Sequence, residues 1–340
     1  MRNRGECAGR GCSPARTLRT LLGGTARIVS LLLAVSLIAF LLVTASPVDP
    51  VQQYILSLGS AVSAEQRAQI EAYWGVDQPP VQRYLGWLGS VLHGDLGISS
   101  LYRRPVAQIL AERFWNSLAL MCSAWVLSGA LGFALGCVMG LYRDRLADRL
   151  LKKLCYLLSS VPTFWLGLLL LLVFSVWLHW FPIGFSGPIG VLSGEVTLGQ
   201  RIYHLILPAV TLSFLSFANI ALHTRQKLVD VLSSEYALFA RARGEGEWTL
   251  LRRHGLRNVL LPALTLQFAS FAELFGGSVL AENVFSYPGL GSAAAEAGLN
   301  GDVPLLLGIT LFSALFVCVG NLIANLLYGV VDPRIREVER

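Results

Sequence analysis

The chain has 340 residues, of which 54% are hydrophobic and only 14% are charged, and its mean hydropathy is +0.59. Soluble domains usually carry about 25% charged residues. This composition therefore excludes an ordinary soluble protein and indicates that most of the surface faces something other than water.

Six apolar runs are long enough to cross a bilayer, which takes roughly 18–20 helical residues. A single run could be a buried helix of a soluble protein, but no single soluble core could bury all six. The sequence therefore predicts an all-α integral membrane protein with six transmembrane helices. In chain order, the predicted spans are residues 28–45, 117–141, 154–177, 205–223, 259–280 and 304–331.

The positive charges lie mainly on one side of this predicted topology. The N-terminal tail (1–27), the C-terminal tail (332–340) and the segments 142–153 and 224–258 together hold 21 of the 27 Lys and Arg residues, and the opposite side holds 6. Loops on the cytoplasmic side carry such an excess. Both termini are therefore predicted to be cytoplasmic, and the net charge of +6 reflects membrane orientation and not binding to nucleic acid.

The N-terminal region has a second interpretation, since a basic start, an apolar core and the run Val43-Thr44-Ala45 also fit a cleavable secretory signal. Cleavage would leave five spans and reverse the predicted termini, so we expect the first span to be retained. The six cysteines lie in the N-terminal tail or in and beside the spans, at spacings that match no metal site. They predict neither a disulfide framework nor a metal centre.

Residues 46–116 form the one sizeable external region between the first two spans. Residues 64–73 have the composition of a short amphipathic helix, and turn-forming residues follow in Trp74-Gly75-Val76-Asp77-Gln78-Pro79-Pro80 and Gly94-Asp95-Leu96-Gly97. The length is sufficient for a small cap over the membrane but not for an independent high-affinity receptor.

The segment 224–258 has the character of a docking element held against the membrane. Two short Arg-containing helices are predicted on either side of Gly244, which permits a sharp reversal because it reaches positive φ without steric cost. On the first helix, Tyr236, Phe239, Ala240 and Arg243 recur at i, i+3, i+4 and i+7 and so share one face. That face is predicted to contact a cytosolic partner.

This segment resembles the EAA coupling loop of bacterial ABC importer permeases, in the branch that serves peptides and nickel. The resemblance rests on Ala240-Arg241-Ala242-Arg243-Gly244, His254-Gly255-Leu256-Arg257-Asn258 and Leu261-Pro262. The Glu-Ala-Ala that names the loop is replaced by Leu238-Phe239-Ala240. The external region is similar to the same branch at Pro47-Val48-Asp49-Pro50 and at Gly94-Asp95-Leu96-Gly97-Ile98-Ser99.

The resemblance implies one permease core, residues 117–331, in the bacterial inner membrane. It implies a second homologous permease, two ATPase subunits that bind the ATP and Mg²⁺, and an external solute-binding protein, with no cofactor in this chain. The residues implied to couple this chain to the ATPases are Tyr236, Phe239, Ala240, Arg243, Gly244, His254, Arg257 and Asn258.

Three polar residues of the fifth span are candidates for the translocation pathway. Glu273 lies near mid-span, where an ionised carboxylate costs at least about 2.5–3.5 kcal/mol unless it is paired or faces water. It either lines the pathway or pairs with a neighbouring helix. Glu282 and Asn283 lie at the outer end, before a run that resembles the Glu-x-x-Phe-x-x-Pro-Gly-x-Gly element of the family.

No sequence motif indicates catalysis: GxxxxGK[ST], HExxH and GxSxG are all missing from the chain. Three runs are more similar to nickel or metal-chelate permeases than to peptide permeases: Glu273-Leu274-Phe275-Gly276-Gly277, Glu282-Asn283-Val284-Phe285 and Val161-Pro162-Thr163-Phe164-Trp165. Nickel or a metallophore complex is thus the first expectation for the substrate, and peptides are the second. A secondary transporter would need no coupling loop, and nothing in the sequence favours a non-transporting assembly subunit.

Overall fold

A computed structural model describes residues 14–45, 51–52, 55, 63–74, 78–191 and 194–331. These residues are almost entirely helical, as predicted. We number the helices α1 (Pro14–Thr44), α2 (Ala64–Trp74), α3 (Pro80–Leu92), α4 (Val106–Leu141), α5 (Leu146–Ser160), α6 (Thr163–Leu170, continued by a π-helical segment Leu171–Trp177), α7 (Leu198–Leu232), α8 (Glu235–Ala242), α9 (Glu247–Leu250, continued by a π-helical turn Leu251–Gly255), α10 (Leu256–Val284), α11 (Leu290–Leu299) and α12 (Val303–Val331).

The predicted all-α membrane architecture is confirmed. Within the described residues, five helices are long and apolar enough to cross a membrane, and a bent pair of helices supplies a sixth crossing if it is counted as one span. The five segments are Ala26–Thr44, Val106–Leu141, Leu198–Leu232, Asn258–Val284 and Val303–Ile323. Three helices, α1, α4 and α7, extend well beyond the predicted spans, because hydropathy marks only the part of a helix that lies in lipid.

The third predicted span, 154–177, is wrong as a single straight helix. α5 begins at Leu146 and ends at Ser160, and the segment Thr163–Trp177 continues at an angle of 109° to it. The break falls at Pro162, and the residue before a proline is biased away from helical geometry. Val161 accordingly has φ −90° and ψ 131°.

The described residues fall into two compact units. In the first, from Met1–Arg103 and Gly301–Cys318, α1 contacts α3 through an aromatic cluster: the ring centroids of Phe40 and Tyr84 are 5.3 Å apart. The Arg83 guanidinium lies 5.3 Å from the Phe40 centroid and donates a hydrogen bond to Thr44 Oγ1 at 2.9 Å. Polar contacts thus fix the C-terminal end of α1 against α3.

In the same unit, Asp302 anchors the Gly-Asp-Leu-Gly-x-Ser element between α3 and α4. Its buried carboxylate accepts hydrogen bonds from Ser99 Oγ at 2.5 Å and from the amide of Leu101 at 3.0 Å. It also accepts from the amide of Leu305 at 3.2 Å, as an N-cap residue at the start of α12 does. Ser99 therefore helps to hold Asp302, which caps the start of α12.

The second unit, from Arg104–Asn300 and Val319–Arg340, is built around α7, which packs along α4 and α10. The approach of α4 to α7 depends on small residues. A Cβ atom at Gly136 would lie 2.5 Å from Thr224 Cβ and 2.7 Å from the Ala221 carbonyl oxygen. Helices in membranes commonly use such residues to bring their backbones together.

Replacement of Gly136 by Ala is expected to lower the unfolding free energy of the purified permease by about 1–3 kcal/mol, because the added methyl overpacks this contact. Its apparent melting temperature in detergent measures the effect. Gly199→Ala is the matched control, since a Cβ at Gly199 meets nothing within 4 Å. Equal melting temperatures for the two variants would contradict the close packing of α4 on α7.

Candidate coupling loop and pathway residues

The loop between α7 and α10 is fastened to its own membrane helices by small residues of α8. Ala237 and Ala240 are fully buried. They share a hydrophobic cluster with Cys137 of α4, Leu228 and Leu232 of α7, Leu250, Leu251 and Val259. α8 therefore moves as part of the unit that contains α7.

One residue of the predicted docking face is misplaced. Ala240 was expected to share an exposed face with Tyr236, Phe239 and Arg243, but it is only 1% exposed and packs against this chain itself. The i, i+3, i+4, i+7 pattern located the helix correctly. The pattern could not show which face of this short helix packs against the rest of the same chain.

The predicted turn at Gly244 is present, with φ +86°. The Gly244 amide donates to the Arg241 carbonyl at 2.9 Å and the Glu245 amide donates to the Ala240 carbonyl at 3.2 Å. These two bonds form a Schellman motif, the helix ending that places a glycine in the left-handed region. A β-branched residue at position 244 would be strained in this conformation.

Arg241 braces the loop, a role that the sequence pattern did not indicate. Its guanidinium donates to the Leu232 carbonyl at 2.9 Å and to both carboxylate oxygens of Glu247, at 2.9 and 3.1 Å. A bidentate Arg–carboxylate pair holds both orientation and distance. Arg241 therefore connects the end of α7, helix α8 and the first turn of α9. The sequence separations between Arg241 and its two partners match no helical period.

Four large side chains of this loop remain uncovered in the single chain and define what we call the docking patch. They are between 43% and 72% exposed: Tyr236, Leu238, Phe239 and Trp248. Arg243 is exposed as well, and the Asn258 side chain donates to Tyr236 Oη at 3.4 Å. The side chains of His254 and Arg257, also predicted to serve coupling, lie outside the described residues.

Glu273 lies on an exposed stripe of α10. Ala269, Gly276 and Leu280 share this stripe at helical spacing, so three of its four residues are small or charged. Within the described part of the chain, its carboxylate has no hydrogen-bonding or ionic partner. A carboxylate at this depth facing lipid would be costly, which favours water or another protein chain on this side of α10.

Glu282 has a different position from the one expected. Its carboxylate has no exposed surface, and it accepts hydrogen bonds from Ser117 Oγ at 2.6 Å, the Gly291 amide at 2.7 Å and the Ser292 amide at 3.0 Å. The expectation that Glu282 lines the pathway is therefore corrected for this conformation. The carboxylate holds the first turn of α11 against α4. We call this group of four residues the external clamp, after the side of the membrane that the predicted topology assigns to it.

Neighbouring contacts reinforce the external clamp. Asn116 Nδ2 donates to the Pro288 carbonyl at 2.8 Å, and the Leu290 amide donates to Ser117 Oγ at 2.8 Å. Burial raises the pKa of Tyr287 to about 12. Asn283, the third predicted pathway residue, is exposed and donates to the Val279 carbonyl at 2.7 Å.

Two known family models match this chain and show what kind of membrane protein it is. The model of the binding-protein-dependent transport system inner membrane component matches residues 132–337, and the model of its N-terminal component matches residues 17–121. The chain belongs to this family. It is thus an ABC importer permease of the peptide and nickel type, a multi-pass inner-membrane transport subunit and not an enzyme.

Relatives of this permease align over nearly their whole length. The oligopeptide transport system permease protein AppB of Bacillus subtilis (strain 168) is 35% identical over 90% of this chain and 96% of its own. A putative peptide transport system permease protein of Brucella abortus (strain 2308) is 34% identical, over 93% and 98%. The glutathione transport system permease protein GsiC of Escherichia coli (strain K12) is 35% identical, over 94% and 98%.

Family membership gives the exposed and buried parts of the permease a context. Importers of this family work with ATPase subunits and a substrate-binding protein. This chain supplies the membrane helices and a braced loop with uncovered aromatic side chains. It also has, on α10, a carboxylate without a partner among the described residues, and a hydrogen-bonded turn between α10 and α11.

Proposed function

We propose that this permease translocates short peptides. The observation that carries the proposal is the full-length similarity to permeases named for oligopeptide, peptide and glutathione transport. Motif similarity over a few residues, such as 161–165 and 273–277, favoured nickel or a metallophore complex. We give the relatives more weight, because they align over at least 90% of this chain.

The transporter we propose contains this permease, a second homologous permease, two ATPases and an external binding protein. The excess of Lys and Arg, 21 against 6, supports cytoplasmic termini and a cytoplasmic coupling loop. ATP and Mg²⁺ belong to the ATPases, which would contact the docking patch. The binding protein would supply most of the selectivity for substrate.

Movement of the ATPases would reach the membrane helices through packing. Ala237 and Ala240 fasten α8 to Leu228 and Leu232 of α7, and the Arg241 brace prevents α8 from tilting separately. Close-packed interiors transmit displacement because they compress little. A push on the docking patch would therefore displace α7, together with the helices packed along it.

Glu273 supports the choice of a substrate with a free amino group. Its carboxylate is exposed on α10 and lacks a partner within the described residues. In a hydrated pathway it would attract the ammonium of a peptide N-terminus, and the interaction would be strong where water is limited. The sequence alternative is a purely structural ion pair, and its cationic partner would have to lie in another chain or outside the described residues of this one.

The experiment is uptake of labelled tripeptides into proteoliposomes that contain the assembled transporter and its binding protein. We expect ATP-dependent uptake, and we expect Glu273→Gln to reduce it severalfold for a peptide with a free amino terminus, since the amide keeps the shape but loses the charge. Uptake of the N-acetylated peptide should change little. Glu195→Gln, in an exposed external segment, is the control.

Two other results would separate the parts of the proposal. Uptake of a nickel chelate but of no peptide would refute the substrate class and leave the permease function intact. If Glu273→Gln transported both peptides at the wild-type rate at limiting concentration, the pathway role of Glu273 would be wrong. Uptake driven by an ion gradient without ATP would indicate a secondary transporter.

A further inference from the structure

Helix α5 packs on the transmembrane helices with only one of its faces. Cys155 is buried in a cluster with Met139 of α4 and with Phe217, Ala218 and Ala221 of α7. Asp148 lies on the same face of α5 as Cys155 and is fully buried. Its two carboxylate oxygens accept hydrogen bonds from the Arg225 guanidinium, at 2.6 and 2.7 Å. The helix is therefore held in one orientation relative to α7.

A row of leucines occupies the opposite face of α5. Leu146, Leu150, Leu154 and Leu157 are 44% to 76% exposed. They recur at i, i+4, i+8 and i+11, so they form a continuous stripe. We call them the leucine row. No described residue of the second unit covers it.

Basic side chains lie beside the leucine row. Arg149 and Lys153 are exposed and have no ionic partner in the part of the chain that the structure describes. Arg145 precedes the helix, with its guanidinium 5.6 Å from the Tyr142 ring centroid. A helix with leucines on one side and unpaired basic residues at the border has the character of a helix that lies in a membrane interface.

The bend in the chain allows that orientation. The segment Thr163–Trp177 makes an angle of 109° with α5. If α6 runs near the bilayer normal, α5 lies close to the membrane plane. It lies at the coupling-loop end of the bundle, since the Arg143 guanidinium reaches Ser233 Oγ at 3.5 Å.

We propose that α5 lies in the headgroup layer at this end, with the leucine row among acyl chains and Arg149 and Lys153 bound to the phosphates of anionic phospholipids. A second permease could also cover leucines, but the adjacent unpaired cations complement anionic headgroups and would be costly to desolvate in a protein interface. The inference rests on family membership and the membrane crossing, and not on the proposed substrate.

The first test locates the leucine row. A nitroxide is attached at Leu150→Cys in the assembled transporter, reconstituted in vesicles of phosphatidylcholine and phosphatidylglycerol. We expect the label to be relaxed by oxygen more than by a water-soluble nickel reagent, as at a depth of roughly 5–10 Å below the phosphates. The same label at Ser63→Cys, which is exposed in the external region, is the aqueous reference.

Both alternative outcomes overturn the proposal. A label at position 150 that neither reagent reaches would show that protein covers the leucine row. A label that the nickel reagent reaches as well as it reaches position 63 would show that α5 lies in water.

The second test addresses the headgroup charge. The transporter is placed in phosphatidylcholine nanodiscs with an environment-sensitive dye at Leu150→Cys, and phosphatidylglycerol is titrated in. The double variant Arg149→Gln and Lys153→Gln should need roughly tenfold more phosphatidylglycerol for the same spectral change. Lys227→Gln with Arg252→Gln removes the same charge elsewhere and should not shift the titration; equal curves for both double variants would refute binding by Arg149 and Lys153.

Discussion

A transporter that carries Phe239→Asp is expected to retain a normally folded permease and to lose both its ATPases and its uptake activity. Phe239 is 72% exposed in the single chain, so an aspartate there disturbs little of this chain's own packing. In a protein interface the same carboxylate would be buried without a partner, and a central aromatic contact would be lost. Such changes cost about 2–4 kcal/mol or more, which weakens binding by roughly 30-fold to 1,000-fold.

The measurement combines three quantities for each purified variant: permease yield with its apparent melting temperature, ATPase recovered in a pull-down, and ATP-driven uptake. Leu299→Asp is the matched control, because it also replaces an exposed apolar side chain by aspartate, at the end of helix α11. It should retain the ATPases. A Phe239→Asp complex that recovers wild-type amounts of ATPase would show that the docking patch is not the docking site.

Ala240→Asp is expected to behave differently, although the sequence pattern groups it with Phe239. It would place a carboxylate in the cluster that joins α8 to α7, so the permease alone should lose yield and thermal stability, even without ATPases present. A loss of transport in this variant therefore cannot identify an interface. Comparison of the Asp variants at 239 and 240 separates failure to dock from failure to fold.

The sequence predicted the helical class, the location of the spans and the reversal at Gly244, because hydropathy and glycine are local signals. It missed the break near Pro162, since the apolar run 154–177 continues through the proline without interruption. The proline was visible, but prolines inside α7 and α10 leave those helices unbroken: Pro208 and Pro262 are both accommodated. Only the tertiary context distinguishes the three.

Buried carboxylates were harder to interpret than helices. The carboxylates of Glu282 and Asp302 lie near the starts of α11 and α12, respectively. Each accepts hydrogen bonds from a serine hydroxyl and from backbone amides. Their serine partners, Ser117 and Ser99, are far away in sequence, and no periodicity connects them. The sequence shows that an acidic residue such as Glu273 lies in a span, where its charge is costly. It does not show whether the folded chain provides hydrogen-bond donors for the carboxylate.

Glu282→Ala is expected to give the largest loss of stability of any single side-chain truncation proposed for this permease, at least about 3 kcal/mol. The carboxylate is wholly buried, and its removal leaves Ser117 Oγ and the amides of Gly291 and Ser292 without their acceptor. Each buried donor left unpaired costs about 1–3 kcal/mol. The favourable placement of a negative charge at the first turn of α11 is lost as well.

Glu282→Gln should be less damaging than Glu282→Ala, and this difference tests the geometry. The amide oxygen can still accept from Gly291 and Ser292, while the amide nitrogen can donate to Ser117 Oγ, whose hydroxyl is able to rotate. The apparent melting temperature of the purified permease should therefore fall in the order wild type, Gln, Ala. Glu195→Ala, at an exposed external position, should match the wild type. If Glu282→Ala melted with that control, the external clamp would not contribute to the stability of the fold, and a pathway role for Glu282 in another conformation would have to be reconsidered.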